Sequence, residues 1–310
     1  MPLDPQVQAM MAQVAKLNLP PVNKVSPAEA RANGRKRKQA LGFEVEPVAD
    51  VKDSVISGPE CELKVRIYRP AGEGPHPLIM LFHGGGWVVG DLDGEDTTGR
   101  GLCNRANAVV VSVDYRLAPE TRFPGAVDDC YAATVWAADH AEQLGIDPTR
   151  IAVAGTSAGG NLSAAVAIKA RDKGGPEIAH QVLFVPVTDC DFETRSYVEL
   201  GEGYGLTRDA MRWYWDHYIG PDGDPEHPYA SVLRAHLRGV APATIITAEF
   251  DPLRDEGERF AKALEKAGVS VKLTCYSGMT HGFNNQVGVI DKATDALDEA
   301  ASHLRAAFSK

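Results

Sequence analysis

The stretch RIAVAGTSAGGNLSAAVAIKARDKG, residues 150–174, carries three signals in succession. Positions 150–154 form a short apolar run of strand character. Positions 155–159 read G-x-S-x-G, and 158–173 have a helical pattern that stops at Gly174, a residue suited to a helix C-cap. A serine caught between a strand and a helix must sit on a sharp turn with strained backbone angles, where flanking side chains larger than glycine collide. Its hydroxyl is thereby exposed at a helix N-terminus. Gly155-Thr156-Ser157-Ala158-Gly159 thus reads as a turn that presents Ser157 as a nucleophile, in the strand-turn-helix context such a turn requires.

The alternation extends outward on both sides. Further strand candidates lie at 63–68, 78–82, 108–113, 181–185, 244–248 and 271–276, most of them near-continuously apolar, as strands covered on both faces are. Helical patterns occupy 126–143, 253–267 and about 291–308, with Gly145 and Gly268 as C-caps after the first two. Together they predict a mostly parallel α/β sheet. Residues 1–45, with two helical patterns of their own, and the insertion 189–238 interrupt the alternation, leaving 46–188 and 239–310 as the body. An insertion of that length predicts a lid rather than a structureless loop. Its helix, 207–219, holds Met211, Trp213, Tyr214, Trp215 and Tyr218. Trp213 and Trp215, two apart, point to different faces, so one face can pack downward while another lines a pocket.

Composition narrows the function. The 310 residues include 32 Lys and Arg against 42 Asp and Glu, a formal net charge of -10, which argues against general binding to a nucleic-acid backbone. With 44% hydrophobic and 24% charged residues, the chain has material for a sizeable core, and global disorder, collagen and coiled coil are excluded. The longest apolar runs, such as 108–113 and 182–187, fall far short of the roughly 18 residues that span a bilayer. MPLDPQVQAM at the start shows no basic stretch followed by an apolar one, so a cytoplasmic location is expected. Cys61, Cys103, Cys130, Cys190 and Cys275 are scattered without a C-x-x-C pair, suggesting neither a disulfide framework nor a metal site. The dense basic run Arg35-Lys36-Arg37-Lys38 reads as a solvated face of the N-terminal helical region.

Two further segments supply what a nucleophilic serine needs. His83-Gly84-Gly85-Gly86-Trp87 follows the candidate strand 78–82, and its three glycines let a loop aim bare N–H groups at one point. A developing oxyanion requires such donors, and removing one typically costs about 3 kcal/mol of transition-state stabilisation. Among nine histidines, His281 stands directly after the last strand candidate, where a loop can present it at the carboxyl edge of the sheet. The orienting carboxylate should fall between Ser157 and His281 in chain order, at the end of another strand. Asp251 fits. Glu249, expected at the strand end, and Asp255, expected in the following helix, are its competitors.

The chain resembles the bacterial hormone-sensitive lipase-like esterases of the α/β-hydrolase superfamily. The resemblance spans essentially the whole length and rests on His83 to Trp87, on Asp114-Tyr115-Arg116-Leu117-Ala118-Pro119-Glu120 with Phe123-Pro124, on Gly155 to Gly160 with Asn161, on Asp251 to Asp255, and on His281-Gly282-Phe283. It implies the α/β-hydrolase fold, with a mostly parallel eight-stranded sheet containing one antiparallel strand, flanked by helices. A helical cap would be built from 1–45 and 189–238, and ester hydrolysis would need no cofactor. Thr156 departs from the Asp that many relatives carry before the nucleophile, which bears on subfamily and substrate preference. Arg116 and Glu120 are read as fixing a loop through a charged network.

These residues define the expected chemistry. Ser157, His281 and Asp251 would form a catalytic triad, with the N–H of Ala158 and two of Gly84, Gly85 and Gly86 as the oxyanion hole. Trp87, Met211, Trp213 and Tyr214 are the substrate-pocket candidates. The expected substrate is a short- to medium-chain acyl ester. An amidase or deacetylase of a small metabolite is the alternative, and a non-catalytic ligand-binding protein on the same fold is a third reading. Gibberellin receptors of that third kind resemble the same family but lack the histidine that here is His281. A homodimer, through an edge strand or helices near the C-terminus, is the expected assembly.

Overall fold

The computed structural model describes residues 2–42 and 45–309. Its strands are β1 (Asp50–Ser57), β2 (Glu62–Arg69), β3 (His76–Phe82), β4 (Val109–Asp114), β5 (Ile146–Thr156), β6 (Ile178–Phe184), β7 (Ala243–Phe250) and β8 (Val271–Thr280). They form one sheet in the order β1-β2-β4-β3-β5-β6-β7-β8. Only β2 runs against its neighbours, and the pairs from β4 to β8 are all parallel. The helices are α1 (Pro5–Ala15), α2 (Pro27–Leu41), α3 (Asp96–Ala106), α4 (Gly125–Asp139), α5 (Ala141–Leu144), α6 (Ala158–Lys173), α7 (Arg195–Leu200), α8 (Arg208–Ile219), α9 (Arg254–Lys266) and α10 (Asp291–Phe308).

Burial on both faces explains the near-continuous apolar runs. Along β3, Leu78, Met80 and Phe82 join a core layer with Val127 of α4, Leu162 of α6 and Phe260 of α9. Ile79 and Leu81 point the other way, into a layer with Leu102 of α3 and Leu297 and Leu304 of α10. This two-sided packing is the α/β-hydrolase arrangement that the motifs imply, and it leaves the carboxyl ends of the parallel strands as one edge where loops meet.

Outside the 189–238 insertion, where α7 is an additional short helix, three elements differ from the sequence expectation. β1 is an edge strand with mostly exposed or half-buried residues, including Lys52 and Asp53, so it lacks the apolar run that marked the others. α3 was not anticipated, because Gly99 and Gly101 lower its helix propensity. Packing favours glycine at Gly99, where a Cβ would lie 2.8 Å from the buried Tyr68 ring, and at Gly101 a Cβ would press on the terminal methyl of Leu297 at 2.8 Å. The expected helix 126–143 is divided into α4 and α5 at His140, whose backbone leaves helical angles (φ -108°, ψ 28°) while its Nδ1 lies 2.8 Å from the Trp136 carbonyl.

Candidate active site

β5 ends at Thr156 and α6 begins at Ala158, so Ser157 occupies the junction alone, at φ 58° and ψ -117°. That left-handed φ is strained for a side chain larger than glycine. The neighbouring glycines make the turn feasible. A Cβ on Gly159 would stand 1.9 Å from the Phe82 carbonyl oxygen, and one on Gly155 would stand 2.3 Å from the Gly159 carbonyl. The turn is pinned from below, since the Ser157 N–H donates to Phe184 O at 2.8 Å. Asn161, one helical turn on, donates from Nδ2 to Val187 O and Ala230 O, tying α6 to the inserted segment.

Ser157 Oγ lies 2.9 Å from His281 Nε2, and His281 Nδ1 lies 2.8 Å from Asp251 Oδ2. The ionised carboxylate can only accept, so Nδ1 carries the proton and donates to Asp251, leaving the Nε2 lone pair to accept from the Ser157 hydroxyl. Asp251 is 1% exposed, directly after β7, and its Oδ1 accepts from the Leu253 N–H at 2.9 Å. Its competitors are engaged elsewhere. Glu249 accepts from the Gly278 N–H, and Asp255 accepts from the Ser196 N–H and from Arg254. The arrangement makes Ser157 a hydroxyl whose proton has an acceptor already in place.

The glycine loop faces this hydroxyl. Gly85 and Gly86 adopt φ 124° and 56°, and Cβ atoms there would meet Val89 O at 2.1 Å and the Tyr214 ring at 2.2 Å. The Val88 and Val89 N–H groups both donate to Gly85 O, which folds the loop back on itself. Among the described residues the N–H groups of Gly85 and Gly86 have no hydrogen-bond partner, whereas that of Gly84 bonds toward the Glu95 carboxyl. The N–H of Ala158, in the first turn of α6, has no partner within the helix. Beneath the loop, His83 stacks on Tyr115 with ring centroids 4.1 Å apart, and Tyr115 Oη donates to His83 O. Burial depresses the His83 pKa, keeping the ring neutral.

A cavity of about 860 Å³ opens above these groups. Ser157, His281 and the three glycines line its floor, while Met211 and Tyr214 of α8 and Arg31, Arg35 and Lys38 of α2 line its other walls. Tyr214 is held protonated by burial, its pKa pushed up to about 12. Trp87 and Trp213 do not line this space. Trp87 is fully buried, stacked on Tyr218 at 4.1 Å and edge-on to Trp215, so it joins α8 to the body. Trp213 packs against Tyr214 and His217 instead. The basic run divides, with Arg35 to Arg37 exposed and Lys38 half-buried.

Within the 114–124 stretch, Arg116 and Glu120 each take part in a charged pair. Arg116 pairs with buried Asp129 through three hydrogen bonds, two from its guanidinium and one from its backbone N–H, while Glu120 receives both terminal nitrogens of Arg31 from α2. Arg31 also donates to Val88 O and Ala118 O, fastening α2 beside the glycine loop. No local pattern announced that link.

Residues 79–285 match the model of a family described by the alpha/beta hydrolase fold. The chain belongs to the α/β-hydrolase family. Within its hormone-sensitive lipase-like branch, the carboxylic ester hydrolase LipN of Mycobacterium tuberculosis is 47% identical over 268 residues, 84% of this chain and 71% of that protein. The arylesterase of Saccharolobus solfataricus is 39% identical over 287 residues, 91% of this chain and 92% of its own. Among solved α/β-hydrolase structures, the hyperthermophilic esterase from Pyrobaculum calidifontis superposes with a TM-score of 0.93 at 39% identity, covering 99% of each chain. Among the described residues, no helix of this α/β-hydrolase is long and apolar enough to cross a membrane.

Proposed function

We propose that the protein is a serine carboxylesterase that hydrolyses short- to medium-chain acyl esters by way of an acyl-enzyme. The observation that carries this reading is the hydrogen-bonded chain from Ser157 through His281 to Asp251, set on the floor of a cavity beside unpaired backbone N–H groups. His281 Nε2 takes the Ser157 proton as Oγ attacks the ester carbonyl carbon. Asp251 holds the imidazole in the required tautomer and stabilises its cation. The oxyanion is received by the N–H groups of Gly85, Gly86 and Ala158, the Gly84 N–H being directed to Glu95. The tetrahedral species collapses, and the alcohol leaves with the proton from Nε2. Water then gives a proton to the same nitrogen as its oxygen attacks the acyl carbon, and the bond to Oγ breaks as Nε2 returns that proton to Oγ, releasing the carboxylic acid and free Ser157.

The cavity volume falls within the roughly 300–1,000 Å³ of small-molecule sites. We read α1 and α2, with the 189–238 insertion, as a cap whose Met211 and Tyr214 shape the acyl or alcohol pocket. Five unpaired cysteines fit the reducing cytoplasm proposed as its location. β8, an edge strand with half-exposed Leu273, offers a surface on which a second copy can add. Light scattering should then return twice the chain mass.

Hydrolysis of p-nitrophenyl esters from acetate to palmitate by the wild type, Ser157→Ala and His281→Ala tests the reading. Activity peaking at short or medium chains and lost in both variants is expected. A folded wild type inert across the series, or an active Ser157→Ala enzyme, would reject it.

A further inference from the structure

The Glu95 carboxyl lies at the point where three catalytic segments meet. It is 1% exposed, at the turn that starts α3, yet its side chain does not cap that helix. Oε1 accepts from the Thr156 hydroxyl at 2.9 Å, on the residue immediately before Ser157. Oε2 accepts from Asn285 Nδ2 at 3.3 Å, four residues beyond His281. The Gly84 N–H also hydrogen-bonds to this carboxyl, and the Thr98 hydroxyl donates to Asn285 Oδ1 at 3.0 Å. Asn284 closes the ring, donating from Nδ2 to Thr156 Oγ1 at 2.8 Å and to Asn285 Oδ1 at 2.7 Å. None of these partners is a cation. A buried carboxyl without a countercharge is costly, and burial outweighs its hydrogen bonds to push its pKa up to about 7.

We propose that Glu95 is a positioning residue for ester hydrolysis: its carboxyl binds Thr156, Asn285 and Gly84 together, which fixes the serine turn, the histidine loop and the glycine loop in register. By taking the Gly84 N–H, it leaves Gly85 and Gly86 as the glycine donors toward the reacting carbonyl. This rests on the esterase reading above.

Kinetics on p-nitrophenyl butyrate test it, using Glu95→Gln, Glu95→Ala, Thr156→Ser, Thr156→Val and the double variant Glu95→Gln/Thr156→Val. Losing register should lower kcat by up to about 10²-fold while KM stays within about twofold. Thr156→Ser, which keeps the hydroxyl, should retain near-wild-type kcat, and Thr156→Val should lose it. Because Glu95 and Thr156 share one hydrogen bond, the double variant should lose less than the product of the two single losses. If Glu95→Ala does not fold, the near-isosteric Glu95→Gln carries the test. Wild-type kcat in both folded Glu95 variants, losses confined to KM, or multiplicative losses in the double variant would overturn the proposal and leave the esterase reading standing. A wild type inert on esters would overturn both.

Discussion

Around Ser157 the backbone itself dictates the geometry, whereas the cavity's upper wall is fastened by side chains. On the floor, a Cβ at Gly159 would lie 1.9 Å from the Phe82 oxygen, and β3, β5 and β6 are paired in parallel beneath the turn. Above, α2 is held beside the glycine loop by the hydrogen bonds of Arg31 to Glu120, Val88 O and Ala118 O, and α8 by the stacking of Trp87 on Tyr218. The floor therefore tolerates almost no substitution. The upper wall can change residue by residue, which is how one chemistry accommodates different esters.

The sharpest test of this contrast is on the floor. His281→Ala should lower kcat by about 10⁴-fold or more on p-nitrophenyl butyrate with an unchanged fold, measured by steady-state kinetics and circular dichroism. Gly86→Ala is next. Its Cβ would stand 2.2 Å from the Tyr214 ring and its φ is 56°, so loss of an aligned donor should lower kcat by about 10²–10³-fold. Adding Tyr214→Ala relieves the collision and leaves the strained φ, so activity should return only in part. Full recovery would place the glycine requirement in the upper wall rather than in the loop.

The upper wall should respond more mildly. Arg31→Ala removes one ion pair, with Glu120 more than half exposed, and two hydrogen bonds to carbonyls. It should lower Tm by a few degrees, as a loss of about 1–2 kcal/mol does in a chain of this size, and change the preference between acetate and longer esters by a few-fold. Equal losses on every ester would mean that α2 supports the floor instead of the pocket.

The smallest expected effect is in stability against pH. Glu95 has an ordinary pKa of 4.5 that rises to about 7 in the folded protein, so between these values the folded state holds the extra proton. Its contribution is therefore fullest below pH 4.5 and declines as pH rises through 7. Neighbouring His83, with a depressed pKa, has the opposite slope on the acid side, and buried Tyr115 stays protonated throughout. The difference between wild type and Glu95→Gln removes those shared terms. Thermal melts from pH 5 to 8 should show wild type losing stability relative to Glu95→Gln as pH rises, and a constant difference would contradict the assignment.

What was legible in the sequence follows the same division. Ser157, Asp251 and His281 were marked by their places after strands whose two buried faces leave continuous apolar runs, and the helices 158–173 and 291–308 match α6 and α10 at both ends. The glycine loop was visible because its backbone geometry demands glycine. Trp87 was read as a pocket residue because an aromatic beside such a loop looks the same whether it faces a ligand or the underside of α8. Glu95 went unnoticed for a related reason. In GDLDGED it looks like one more surface acid, and its partner Thr156 is 61 positions away, so only the folded chain joins them.

Whether Ser157 carries the acyl group is decided by intact-mass and peptide mass spectrometry of enzyme acid-quenched early in turnover of p-nitrophenyl butyrate. A mass gain of one butanoyl group is expected on the peptide containing Ser157, present in wild type and absent in Ser157→Ala. An adduct on another residue, or undiminished hydrolysis by Ser157→Ala, would contradict it.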